Sequence, residues 1–391
     1  MAASLKSSGI DQPAGSAEPV PKKPLLRTAG LTRHFRVGTP FSPRFLHAVD
    51  DVDLSVGERQ IVALVGESGS GKSTVARLLS LIYRPTRGEI YFKGRPLSRV
   101  RSRRDILDYH GRVPMVFQDP YSSLNPVYPV GHGLTRALIL HRSQLDGHRR
   151  RVVAEEILAS VGLTPPAAFL GKYPHELSGG QRQRIGFAAA LACSPELILA
   201  DEPVSMLDVS VRIGVLNLMA ELRRVKGVSI LYITHDIASA RYVADRLLVM
   251  YAGHLVEQGP TEEVLAKPKH PYTQLLLSAV PDPRAPLTTM PPADAGEPPR
   301  VIDPGEGCRF RWRCPYAIEV CYQVTPRLRQ LGPDHSAACH VATAEGLPRL
   351  PNPPGGPLLL AAEGDHGPAE QDHRQPADER DLGGHGHGVA E

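Results

Sequence analysis

Apolar positions along the chain form short continuous runs, separated by stretches with helical spacing. Ile61-Val62-Ala63-Leu64-Val65, Leu197-Ile198-Leu199-Ala200 and Val228-Ser229-Ile230-Leu231-Tyr232-Ile233-Thr234 are bounded by polar or turn residues. Runs of this kind predict strands buried on both faces. Residues 48–54 alternate apolar and polar and predict a half-buried strand, with Thr39-Pro40-Phe41-Ser42-Pro43 as the loop before it. Residues 87–94 predict half of a hairpin, residues 113–117 another strand, and residues 247–259 a closing hairpin. Between them, Val152, Val153, Ile157, Leu158 and Val161 recur on one helical face, as do Val215, Leu218, Met219 and Leu222. Strands alternating with helices predict a mostly parallel α/β sheet lobe, with a helical lobe inserted at about residues 119–192.

A polar, glycine-rich stretch follows the first of these runs. Residues 66–74 read GESGSGKST, between the buried strand and a helix continuing through Val75-Ala76-Arg77-Leu78-Leu79. The stretch fits G-x-x-x-x-G-K-[ST], the loop that cradles nucleotide phosphates. Gly66, Gly69 and Gly71 reach backbone angles closed to residues bearing a Cβ, so the N–H groups around Glu67, Ser68 and Ser70 can turn toward phosphate oxygens. Lys72 supplies a point charge for the β- and γ-phosphates, and the Ser73 hydroxyl a Mg²⁺ ligand, with Thr74 beside it. A glycine-rich turn without a ligand has no need of Lys72 and Ser73 in that register.

Three further points carry chemistry. Ser178, with Gln181 three positions on, is a capping-box signature, and Gly179 and Gly180 leave the helix start open to an anion. The run at 197–200 ends in Asp201-Glu202, and two carboxylates at the end of an interior strand require a cation or donors. Asp201 is assigned to Mg²⁺ and Glu202 to activation of the attacking water. His235 ends the next strand at the same sheet edge, where a γ-phosphate would be met, and Asp208 is placed to cap the helix between them. Phe35 and Phe45 are each either a base-stacking ring or an ordinary strand-face aromatic.

Composition narrows the function classes. The 391 residues carry a net charge of +4, too slight for that length to argue for nucleic acid. No run reaches the roughly 18–20 apolar residues of a membrane helix, and the first residues lack the apolar core of a signal peptide, so a cytoplasmic protein is expected. Residues 1–24 and 346–391 read as disordered arms, the latter with His366, His373, His385 and His387 solvated. Of five cysteines, Cys193 reads as a small buried residue, while Cys308, Cys314, Cys321 and Cys339 stand together as C-x₅-C-x₆-C-x₁₇-C. In a reducing compartment four such thiols point to metal ligation. Structural zinc sites use tight C-x₂₋₄-C pairs, absent here, whereas iron–sulfur clusters tolerate wider separations. Arg309, Arg311 and Arg313 among them either offset a cluster's negative charge or form a solvated basic patch.

In kind and order, GESGSGKST, Gln118, LSGGQ at 177–181, LILADE at 197–202, SMLD at 205–208 and His235 resemble the ATP-binding subunits of ABC transporters, over about residues 25–341. MVFQDPYSSLNP at 115–126, HPYTQLLLSAVPDP at 270–283 and the cysteine quartet narrow the resemblance to the oligopeptide/dipeptide permease ATPases. It implies a P-loop ATPase domain over 25–268 and a smaller C-terminal region over 269–345. It also implies ATP and Mg²⁺, with Gln118 among the catalytic and Mg²⁺-binding residues, and a [4Fe–4S] cluster on the quartet. Ser178, Gly179, Gly180 and Gln181 would then face the ATP of a second subunit, identical or paralogous, packed head to tail. The other implied partners are two transmembrane permease subunits and an extracytoplasmic solute-binding protein, with this chain peripheral on the cytoplasmic face of the membrane. The segment 118–126 would carry closure to the membrane partners or serve as a plain linker. Peptide uptake is the leading function; nickel or another solute is the alternative. Two departures stand out: SMLD where SALD is usual, and Ala189 where an arginine is common. A soluble ABC ATPase acting on ribosomes or DNA would carry two cassettes or a long coiled coil, and a non-hydrolysing module would lack Glu202 and His235.

Overall fold

Every residue of the three apolar runs is buried. In the computed structural model, which describes residues 24–39, 41–119, 124–279 and 301–347, they form β4 (Ile61–Val65), β8 (Leu197–Asp201) and β9 (Ser229–Thr234). These pair in parallel, β4 on β9 and β9 on β8, with β7 (Met115–Val116) beyond β8 and β10 (Arg246–Tyr251) on the other side of β4. β11 (His254–Pro260) folds back antiparallel on β10. A second, antiparallel sheet holds β1 (Leu26–Thr39), β2 (Ser42–Val52), β3 (Ser55–Val56), β5 (Arg87–Phe92) and β6 (Arg95–Pro96).

Side chains of a strand alternate between faces, and the two faces of β4 serve two cores. Val62 and Leu64 join Val75, Leu78 and Leu79 of the helix Lys72–Leu79, together with Leu26, Leu31 and Ile90 of the antiparallel sheet. Ile61, Ala63 and Val65 join a separate cluster containing Leu134, Leu158, Ile185, Phe187, Val215 and Met219. Those residues come from the helices Val130–His141, Gly147–Ser160, Gly179–Ala192 and Val209–Glu221. The phosphate-loop strand is thus clamped on both sides. No helix among the described residues is long and apolar enough to cross a membrane.

Several expectations change. The loop expected at 39–43 shrinks to a hairpin turn, because β1 and β2 stay in register out to Thr39 opposite Ser42; Phe41 there is 99% exposed. The strand expected at 113–117 is reduced to two residues. The hairpin expected at 247–259 forms as β10 and β11, and the sheet continues beyond it. β13 (Ser336–Ala337) adds to β11, and β12 (Arg329–Gln330) adds to β13. The buried carboxylate of Glu257 on β11 explains the docking. It accepts from the N–H groups of Lys269 (2.6 Å) and His270 (2.9 Å) and lies 2.7 Å from Nε2 of His335. A buried carboxylate needs such partners, and here they come from two separate segments, 269–270 and His335.

Candidate functional site

A cavity of about 780 Å³ lies at the start of the helix Lys72–Leu79, at the carboxyl end of the parallel strands. Its walls include Glu67, Ser68, Gly69, Gly71, Lys72, Ser73 and Thr74 from the glycine-rich loop, and Gln118, Glu202 and His235 from the ends of β7, β8 and β9. Gly66 and Ser70 complete the loop behind this wall, with Ser70 buried. Gly71 has φ 104°, and a Cβ there would stand 2.1 Å from the carbonyl oxygen of Ala48, so only glycine permits this approach.

The loop holds Lys72 inward. Its Nζ donates to the carbonyls of Gly66 and Glu67, 2.8 Å each. Burial pushes its ammonium below the usual value, against the pull of Glu202, Asp201 and Glu67. The Ser73 hydroxyl donates to Oδ1 of Asp201 at 3.0 Å. Burial raises the Asp201 carboxyl, partly relieved by that hydrogen bond. An incompletely compensated carboxylate beside a hydroxyl fits a divalent cation, whose charge would remove the penalty.

Glu202 stands one residue on, with φ 46°. Its N–H is tied to the carbonyl of Ile233 at 2.9 Å, which turns the side chain off the end of β8. Oε2 of Glu202 lies 3.2 Å from Nε2 of Gln118 and 3.2 Å from Nδ1 of His235. Three residues spread over 118 positions of sequence thus meet at one carboxylate oxygen.

Other predicted residues lie elsewhere. Ser178 and Gln181 form both halves of the capping box: Ser178 Oγ accepts from Gln181 N–H (3.3 Å), and Gln181 Oε1 accepts from Ser178 N–H (3.0 Å). None of Ser178, Gly179, Gly180 and Gln181 lines the cavity of its own chain. Asp208 caps the next helix, accepting from Val211 N–H at 2.9 Å. Phe35 lines the cavity; Phe45 does not and is 43% exposed. Cys193 is half-buried, its thiol pushed up to about 11 by burial.

Two of the three arginines among the cysteines are neither a solvated patch nor free to offset a cluster. Arg309 pairs with Asp50 (2.6 Å) and Arg313 with Glu67 (3.0 Å). Among the described residues, His34, His47 and Asp50 are the one group spaced for a single ion, and Arg309 already neutralises Asp50. No three of the four clustered thiols come within 4.8 Å of one another. One zinc ion with bonds of about 2.3 Å would need sulfurs roughly 3.8 Å apart. The thiols are nevertheless near enough to act on each other. Burial first, and then the neighbouring cysteines, push Cys308 up to about 11 and Cys314 up to about 12.

The sequence model of the family described as "ABC transporter" matches residues 49–205, and that of "Oligopeptide/dipeptide transporter, C-terminal region" matches 256–321. The oligopeptide transport ATP-binding protein AppF of Bacillus subtilis (strain 168) is 43% identical over 296 residues, 75% of this chain and 89% of its own length. YkfD of the same organism is 41% identical over 320 residues, covering 95% of its length. The chain belongs to the ABC transporter family. Within it, the second match places this ATP-binding subunit in the oligopeptide/dipeptide branch. Its P-loop ATPase fold is shared with the dimeric cassette MJ0796 in a post-hydrolysis state bound to ADP and Pi, at TM-score 0.54 and 27% identity, over 60% of this chain and 98% of that one. The ABC subunit thus lines one cavity with Lys72, Ser73, Gln118, Glu202 and His235, while the start of the helix Gly179–Ala192 lies outside it.

Proposed function

We propose that this ABC subunit hydrolyses ATP as one half of a head-to-tail pair and thereby energises peptide uptake through separate membrane subunits. The observation that carries the reading is the Glu202 carboxylate, held between Gln118 and His235 one residue beyond the Ser73–Asp201 contact. Loop N–H groups and Lys72 bind the β- and γ-phosphates; Ser73, Asp201 and Gln118 would hold a Mg²⁺ ion, which would supply neutralisation of the phosphate charge. Glu202 takes a proton from a water aligned with the γ-phosphorus, and the bond to the bridging oxygen breaks as the oxygen–phosphorus bond forms. His235 fixes the carboxylate and contacts the departing phosphate. The unused start of the helix Gly179–Ala192 supplies N–H donors to the ATP of the partner subunit.

The names of the relatives favour peptides over nickel, and the 118–126 segment is the link to the permease subunits, with an extracytoplasmic protein delivering solute. The ATPase domain spans 25–268 and the cysteine-bearing region 269–345. The sequence pattern C-x₅-C-x₆-C-x₁₇-C, which lacks the tight pairs of structural zinc sites, is the basis for proposing a [4Fe–4S] cluster of structural or redox role on the quartet. Phosphate release by the purified protein tests the ATPase, and peptide-stimulated release after reconstitution with permease subunits tests the coupling. Anaerobic purification with iron, sulfide and zinc analysis tests the cluster: stoichiometric zinc without iron overturns it.

A further inference from the structure

The second residue of the phosphate loop is gripped from outside the ATPase domain. The Glu67 carboxylate accepts from both terminal nitrogens of Arg313, at 3.0 and 3.1 Å. The pair is only 13% and 24% exposed. The Glu67 N–H donates to the hydroxyl of Tyr272 at 2.8 Å. That N–H and the Gly66 carbonyl belong to one peptide group, and the carbonyl receives Lys72. The peptide that holds the phosphate-binding lysine is therefore fixed on its other side by Tyr272.

Both anchors are stiff. Tyr272 is fully buried, packed against Tyr251 and Phe310 with ring centroids 4.5 and 5.6 Å away. Arg313 ends a single 3₁₀ turn, Arg311–Arg313, whose flanks are Cys308 and Cys314. The Cys308 N–H is bound to the Cys321 carbonyl at 2.7 Å, so the turn is held by the same segment that carries the thiols. Arg309, one position after Cys308, reaches Asp50 and the carbonyl of Ala252. The next residue, Gly253, donates to the Ser70 carbonyl of the loop at 2.9 Å. Two arginines from the cysteine-bearing segment thus brace the loop by two routes.

We propose that Arg313 and Tyr272 are positioning residues for phosphate binding, and that the cysteine segment, by placing Arg313, sets the affinity of the loop for ATP. The inference rests on the ATP site proposed above and adds a role for the C-terminal region at that site. A bidentate ion pair fixes the direction of Glu67 as well as its charge, and a loop fixed before binding loses less freedom when ATP arrives. Whatever state holds Cys308 and Cys314 in place holds the loop in place.

The test is calorimetric titration of full-length protein with ATP and Mg²⁺, with phosphate release measured in parallel. Arg313→Gln is expected to weaken ATP binding about tenfold, with KM rising equally and kcat within about twofold. Arg313→Lys should fall between this and the native protein. Glu67→Gln should match Arg313→Gln, and the double variant should be no worse than either single one. Cys314→Ser should weaken binding in the native background and add nothing on Arg313→Gln. Native affinity in a folded Arg313→Gln, or effects of Glu67 and Arg313 that add in full, would overturn the proposal. If Arg313→Gln does not fold, native affinity in Glu67→Gln overturns it. Lys72→Ala separates the two readings, since native ATP affinity in that variant removes the ATP site itself.

Discussion

At Glu202 a left-handed backbone places one carboxylate oxygen between Gln118 and His235. Glu202→Gln keeps the shape and the contacts but cannot accept a proton. It should retain ATP binding while phosphate release falls by about 10²–10⁴, and near-native turnover would remove Glu202 as the base. Asp201 makes the opposite trade. Its carboxyl is raised by burial, so the folded state binds the proton more tightly than the unfolded one. Its contribution favours folding at low pH and is lost as pH rises through the folded value, leaving a cost at neutrality. Asp201→Asn should therefore raise the melting midpoint of the metal-free protein, by about 2–4 °C per kcal/mol recovered, and abolish stabilisation by Mg²⁺ with ATP. Differential scanning calorimetry with and without Mg²⁺ reads both. The residue types and their order were legible in the sequence, because strand-end carboxylates and a lysine in a glycine-rich loop have few other uses. Their contacts were not: Gln118 and Glu202 are 84 positions apart, and no local pattern encodes that pairing.

The helix Gly179–Ala192 is the element whose start lies outside the cavity of its own chain. A Cβ at Gly180 would stand 2.2 Å from Cγ1 of Val211, so this helix packs against Val209–Glu221 at glycine distance. Gly180→Ala should cost about 1–3 kcal/mol in urea unfolding, and Val211→Ala in the same protein should recover most of it. Full cost in the double variant would contradict the close approach. Ser178→Arg tests the outward face: ATP should still bind, while ATP-locked pairs of the Glu202→Gln protein should no longer form in size-exclusion chromatography. Capping at Ser178 and Asp208 could be read from the sequence because a cap is decided within four residues. The two-residue strands β12 and β13 could not, since so short a strand exists only where an edge already waits for it.

At the scale of the whole molecule, the segments that follow β11 are tied to it through Glu257, which accepts from His270 N–H and lies against His335. Burial pushes the His270 ring down to about 3, so it stays neutral where an unfolded histidine, near 6.5, would charge. Stability from this group is fully present above about 6.5 and is lost as pH falls toward 3, at about 1.4 kcal/mol per pH unit. His270→Asn, which keeps a short acceptor for the Tyr272 N–H, should flatten the stability–pH slope in denaturant titrations between pH 6 and 4. An unchanged slope would assign the acid sensitivity to another group. What the sequence by itself determined was the phosphate loop, the buried parallel strands, the helix caps and the family, because each rests on neighbouring residues or on a run of one period. Tertiary structure alone decided that Glu202 meets both Gln118 and His235, that β13 extends the sheet, and that Arg309 and Arg313 serve carboxylates of the ATPase domain. Those outcomes join segments up to 259 positions apart, and such a pairing depends on which surfaces the fold has already brought together.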